Sequence, residues 1–425
     1  MTPALLDIND SNLQLWHGDR HQQSPGYALL RGGQYVYGNE ARAAARLEPR
    51  NINTRYWWQL NTDALQPAFG PARHSADLVH GHLQALHREA GEPSEVILAV
   101  SGSLQREQLS LLLGIIQACP FEAVGLVNRS VALASPVAGH GRLFHLEIQL
   151  HQGSITELAA DGDTVTALRT IPLPGCGLLQ LQERLVETIA AAFIRQTRFD
   201  PRRKAGTEQA LYDRLPHVLR DLQQRGETSL EVNGNRASIN RRELVAAGQR
   251  LFTSAPEAMG VSQPDDRILL DPVAALLPGI SEQLGGTQVL AAEALPASVI
   301  SHLDRLVQRG EAQTFISTLP CTNQLIEPAT GALEPAQPTP PPEPAAGPAP
   351  THLLRGSTAT GLQPAGTDLG AGYTLHRDGE AWLVTGDNPA ALAINGGAYN
   401  GQALGTGDAI ALPGGDEVRL IEVIA

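Results

Sequence analysis

The chain has 425 residues, 42% of them hydrophobic and 4% aromatic, and a formal charge of −13. That length exceeds a single core and predicts two or three domains. The acidic balance argues against a nucleic-acid binder working through a basic surface, and the lone lysine, Lys204, leaves one position for a catalytic lysine.

Cys119, Cys176 and Cys321 have no paired spacing and read as free thiols of a reducing compartment. Residues 1–10 carry no signal-type apolar run, and no stretch approaches the ~20 apolar residues of a membrane span. The expectation is a cytoplasmic protein with no membrane insertion.

In chain order, Ala4–Leu15 reads as two strands around a turn at Asn9-Asp10-Ser11, and Tyr27–Tyr37 as short strands around Gly32-Gly33. Ser75–Ala90 is a predicted helix capped by Ser75, with His80, His82 and His87 on its surface. Glu95–Val100 is a buried strand. Ser101-Gly102-Ser103 is a strand-to-helix turn, with Ser103 capping the helix that runs to Cys119. Ala123–Val127 is a strand, and residues 143–158 form two strands joined by a turn. His145 and His151 flank that turn with no nearby Cys or Asp to complete a metal site. Thr164–Pro174 is a strand leading to Gly175-Cys176-Gly177, where Cys176 fills a small space. Helices follow at Leu178–Gln196, Gln209–Gln224 and Arg241–Phe252. The Asn233-Gly234 hairpin lies between the last two. Asp266–Leu270 is a short buried strand, and a helix starts near Gly279.

Residues 327–351 are rich in Pro and Ala and predict an extended arm. Beyond it, short strands with turns at Asp378-Gly379, Asn395-Gly396, Asn400-Gly401 and Gly414-Gly415 predict a small all-β module over 352–425.

Several segments together resemble a known family. They are Leu5-Leu6-Asp7-Ile8-Asn9, Tyr37–Arg42, Val96–Gln108, Ala123–Ala134, Phe199–Phe252, Leu269–Leu284 and Ala294–Leu303. In that order they resemble the ATPase domain of the seventy-kilodalton heat-shock chaperones, within the actin-like superfamily. The resemblance implies an α/β, two-lobed actin-like fold over 1–326, followed by the Pro-rich linker and a small β-sandwich. The C-terminal Ala391–Gly396, Gln402–Leu404, Gly407–Leu412 and Val418–Val423 are similar to part of a forkhead-associated domain.

The functional positions of the resemblance depart from the family pattern. Asp7 is kept, but Asn9 and Asp10 stand for Gly and Thr. In the second hairpin His145 stands for the metal-site Asp, and Glu147, Ile148 and Gln149 for glycines that would let backbone approach phosphate. Arg129 stands for the water-polarising Glu. Thr54–Leu60 has no lysine, only Arg55. Leu269–Ala274 lacks the glycines of the adenosine strand. Losing these parts together removes both positioning and charge stabilisation, which supply almost all catalysis in phosphoryl transfer.

The expectation is a pseudo-ATPase with no cofactor, acting as a scaffold or adaptor for protein partners. The alternative is a divergent ATPase that takes ATP with Mg through Asp7, Ser11 and Arg55. A third reading is a phosphothreonine adaptor using Arg355 and Ser357. Tyr56-Trp57-Trp58 reads either as filling of space vacated by nucleotide or as an exposed contact patch.

Overall fold

The computed structural model describes residues 2–137, 139–263, 265–310, 313–322, 350–355, 358–379, 381–386, 388–395, 397–413 and 417–422. Two compact units divide the chain, Met1–Thr330 and Gly331–Ala425. The Pro-rich arm expected over 327–351 lies outside the described residues up to residue 349.

The first unit is mixed α/β. Its strands are β1 (Ala4–Ile8), β2 (Leu13–His17), β3 (Arg20–Ser24), β4 (Ala28–Arg31), β5 (Gln34–Tyr37), β6 (Ile52–Asn53), β7 (Glu95–Val100), β8 (Glu122–Asn128) and β9 (His140–Ile148). They continue with β10 (Gln152–Asp161), β11 (Thr164–Pro174), β12 (Glu227–Val232), β13 (Asn235–Asn240), β14 (Arg267–Leu270), β15 (Thr287–Val289), β16 (Phe315–Ile316) and β17 (Thr318–Pro320). The helices used below are α1 (Asn39–Ala43), α2 (Ser75–Glu89), α3 (Arg106–Gln117), α4 (Arg129–Ala134), α5 (Leu178–Thr197) and α6 (Ala205–Arg225).

Two sheets repeat one pattern. In the first, β1, β2 and β3 form an antiparallel meander, β1 pairs in parallel with β7, and β7 with β8. In the second, β9, β10 and β11 form the meander, β9 pairs in parallel with β14, and β14 with β15. The inner strands β1, β7 and β14 are near-continuously apolar and almost wholly buried, as strands covered on both faces are.

Alternate residues of these strands enter different cores. Ala4, Leu6 and Ile8 join the core beneath α2 and α3, whereas Leu5 points the other way. Phe144, Leu146 and Ile148 join the core with α5 and α6, whereas Leu143 points the other way. A third core then forms from Leu5, Ile97, Val127, Leu143 and Leu269 around Val131 and Ala132 of α4. This shared core joins the two sheets.

The Asn233-Gly234 turn lies where the sequence predicts it, with φ of 52° and 75° at its two residues. Asparagine and glycine tolerate this left-handed pair, and its twist suits a two-residue hairpin.

Helix α2 departs from the expectation that its histidines lie on the surface. His82 and His87 are buried. His82 is a core junction: Nδ1 accepts from Trp57 Nε1 at 3.1 Å and lies 2.8 Å from the Tyr56 hydroxyl. Nε2 lies 2.7 Å from Ser24 Oγ. Indole N–H is donor only, so Nδ1 is unprotonated and Nε2 carries the hydrogen. Burial pushes the His82 pKa down to about 3, which keeps the ring neutral. Replacing His82 with alanine removes packed volume and leaves the indole N–H and two hydroxyls unpaired. Urea unfolding should register a loss of about 3 kcal/mol. A loss below about 1 kcal/mol would show that the junction relaxes freely.

Two predicted caps are also corrected. Ser75 does not cap α2. Its hydroxyl accepts from the Asn61 N–H and lies within hydrogen-bond distance of the Gln59 and Asn61 carbonyls, pinning the loop before the helix. The cap residue of α3 is Gln105, whose N–H donates to Gln108 Oε1 at 3.0 Å. Ser103 is engaged elsewhere.

Among its described residues the second unit is predominantly β, with a six-stranded and a three-stranded sheet around Leu353, Leu375, Trp382, Ile410 and Leu420. At its Asn395 turn, φ is 51° and the side chain bridges to Asp408 Oδ1 at 2.7 Å and to the Ala409 N–H.

Candidate functional site

Strand alternation also places the polar groups. Asp7 follows Leu5 by two residues, His145 and Glu147 follow Leu143, and Asp271 follows Leu269. All four therefore turn toward the shared core, at its polar end. Between them, Arg129 opens α4, and its side chain is buried with them.

Arg129 is shared by two carboxylates. Nε donates to Asp7 Oδ1 at 2.7 Å and Nη2 to Asp7 Oδ2 at 3.1 Å. Nη1 donates to Asp271 Oδ2 at 2.8 Å, and Nη2 also reaches Asp271 Oδ1 at 3.3 Å. Glu147 Oε2 stands 4.0 Å from Nη1 with no hydrogen-bond partner among the described residues. His145 Nε2 lies 3.4 Å from Asp271 Oδ1, and Nδ1 lies 2.9 Å from Ser130 Oγ. The sequence reading that left His145 without a neighbouring Asp is thereby corrected: Asp271 comes from far along the chain.

Asp7 and Asp271 share one guanidinium but hold their protons unequally. Burial pushes the Asp7 carboxyl up to about 6 despite Arg129, with Asp271 and Glu147 adding to the rise. Burial also opposes ionisation of Asp271, but Arg129 and then His145 outweigh it and hold this carboxyl well below its usual range. Asp271 is the firmly ionised partner, and Asp7 takes the first proton.

The turns of the two meanders are tied to each other. Leu150 N–H donates to Asp10 Oδ1 at 2.7 Å, and Asn9 Nδ2 to the Ile148 carbonyl at 3.3 Å. Asn9 Oδ1 accepts from Ser11 N–H and Ser11 Oγ. Gln149 Nε2 donates to Ser103 Oγ and Glu147 Oε1. Burial, and then the Glu147 charge, push Asp10 up to about 7 against the pull of the Leu150 N–H. Above the turns, Trp58 stacks on His151, with centroids 5.4 Å apart, and reaches Gln152 Oε1. Of the three-residue aromatic run, Tyr56 and Trp57 are core and Trp58 is exposed.

A clasp joins α1 and the segment after it to α6. Arg46 N–H donates to Gln209 Oε1 at 2.8 Å, and Gln209 Nε2 to the Arg42 carbonyl at 3.2 Å. The Arg46 guanidinium lies 3.9 Å over the Tyr212 ring.

The sequence-predicted ligand residues do not converge. Asp7 and Ser11 line a cavity of about 290 Å³ together with Arg129, Asp271, Trp16, Leu133 and Leu295. Arg55 lines a different groove. In the cavity Asp7 is engaged by Arg129, and Ser11 by Asn9. Among the described residues no group of three His, Cys, Asp or Glu side chains is disposed to hold a metal ion. In the second unit Arg355 donates to the Leu369 carbonyl and packs over Gly370. Ser357 lies outside the described residues.

Sequence reasoning took Arg129, His145, Glu147 and Asp271 one at a time, each as a replaced family residue. A usable signal was present: each polar residue falls on the inward register of an otherwise apolar strand or helix start. No family model matches this sequence, and no curated protein matches it.

Proposed function

We propose that this protein is a non-catalytic scaffold: an actin-like, heat-shock-ATPase-type body whose nucleotide cleft has been rebuilt as a protein-only lock. The duplicated meander with its added parallel strands supports the fold assignment. The functional reading rests on one observation: Arg129 spends its donors on Asp7 and Asp271. A cation so neutralised offers nothing to a phosphate, and the surrounding carboxylates repel one.

The turns agree with this reading. Phosphate cradles present free backbone N–H groups to an anion. Here Leu150 N–H is directed at the Asp10 carboxyl and Ser11 N–H at Asn9, so side chains of the chain itself stand where an anion would be held. Two folded units joined by a Pro-rich segment raise each other's effective concentration for partners, and protein partners in the cytoplasm complete the proposal.

Thermal unfolding of the full chain with millimolar Mg-ATP or Mg-ADP tests it, because a ligand that binds only the native state raises Tm. The expected result is no shift with either nucleotide. A magnesium-dependent rise that disappears in Asp7→Ala would replace the scaffold with a divergent ATPase.

A further inference from the structure

We infer that the groove beside β6 is a docking site for an acidic, extended segment of a partner protein, taken up by strand addition. The inference deepens the scaffold reading by naming a surface, but it draws on residues outside the Arg129 network.

Strand β6 is the edge of a three-stranded sheet and among the described residues pairs only with β4, Ile52 opposite Leu29 and Asn53 opposite Ala28. In an antiparallel pair, alternate residues turn their N–H and C=O away from the neighbouring strand. One of Ile52 and Asn53 therefore offers both groups outward. No other hydrogen bond reaches these backbone groups among the described residues. Beside this edge runs a groove of about 690 Å³. An open edge next to a groove is the arrangement by which sheets capture extended peptides: main-chain bonds supply affinity and alternate side chains supply specificity.

Charge selects the occupant. Arg50 and Arg55 line the groove, both are exposed, and neither has an ion-pair partner among the described residues. Among the described residues Asp63 is the one carboxylate in the lining. In a chain of net charge −13, two uncommitted guanidinium groups flanking a strand edge favour a peptide bearing carboxylates at alternate positions. Ile52, Leu65 and Phe69 supply an apolar wall for the residues between them.

The probe is an acetylated, amidated peptide of about nine alternating Glu and Val residues, a usual strand length. It is offered to the full chain, with amide hydrogen exchange followed over residues 52–54. The expected result is slowed exchange there. Affinity should fall about tenfold or more in Arg50→Glu/Arg55→Glu and survive in Arg50→Lys/Arg55→Lys. It should also weaken as salt rises from about 50 to about 300 mM. A Lys-Val peptide and a Glu-Val peptide methylated on alternate amides should not bind. No protection by the Glu-Val peptide, equal binding of the Lys-Val or methylated peptide, or an unchanged affinity in the Glu variant would each overturn the inference. The nucleotide result concerns a different site, so either proposal can fail alone.

Discussion

Replacing Arg129 with methionine should lower stability by about 3–5 kcal/mol, the largest single-residue loss expected in the first unit. Methionine fills much of the same space, so the loss is mainly electrostatic: Asp7, Asp271 and Glu147 would remain buried without a cation. The pH dependence separates this cause from lost packing. In the variant, each orphaned carboxyl can escape its penalty by taking a proton. The deficit should therefore shrink as pH falls from about 7 to about 4. Adding Asp7→Asn and Asp271→Asn to Arg129→Met should recover much of the loss at neutral pH. Chemical denaturation across that range reads both effects. A deficit constant with pH would assign the cost to packing.

Asp10→Asn should act in the opposite direction. Burial raises the folded carboxyl from an ordinary 3.8 to about 7, so the folded state holds this proton more tightly than the unfolded chain. The associated stability is present in full below the unfolded value and is lost as pH rises through about 7. Asparagine keeps an Oδ1 for the Leu150 N–H and never ionises. The variant should match the parent near pH 4 and exceed it by about 2–4 kcal/mol at pH 8, at about 1.4 kcal/mol per pH unit. Asp7 slopes the same way up to about 6. Asp271 opposes both, because its depressed carboxyl loses stability only in strong acid. Equal stability of Asp10→Asn and parent at pH 8 would show that the carboxyl is hydrated in the folded protein.

The strands were legible wherever apolar residues ran unbroken, as at Glu95–Val100, or turned on Asn233-Gly234. The polar edge strand β3 and the short β15, β16 and β17 were not, because their pairing depends on distant neighbours. His82 was misplaced through its residue type, although it sits three and four residues from Val79 and Leu78 on the apolar stripe of α2. Ser75 and Ser103 look like caps by position, and their hydroxyls instead serve tertiary contacts. The site was hardest to read. Arg129 and Asp271 are separated by 142 positions, and nothing local to either residue announces the other.

The Arg46–Gln209–Tyr212 clasp and the Arg129 network hold the first unit together at separated places. A switch protein changes shape when fuel binds, and its partners bind in proportion to the competent fraction. A scaffold fastened by its own side chains, as proposed for this protein, would have no such fraction to wait for. On the scaffold proposal, partners would find the same surface in a starved cell as in a growing one, and their occupancy would follow concentration alone.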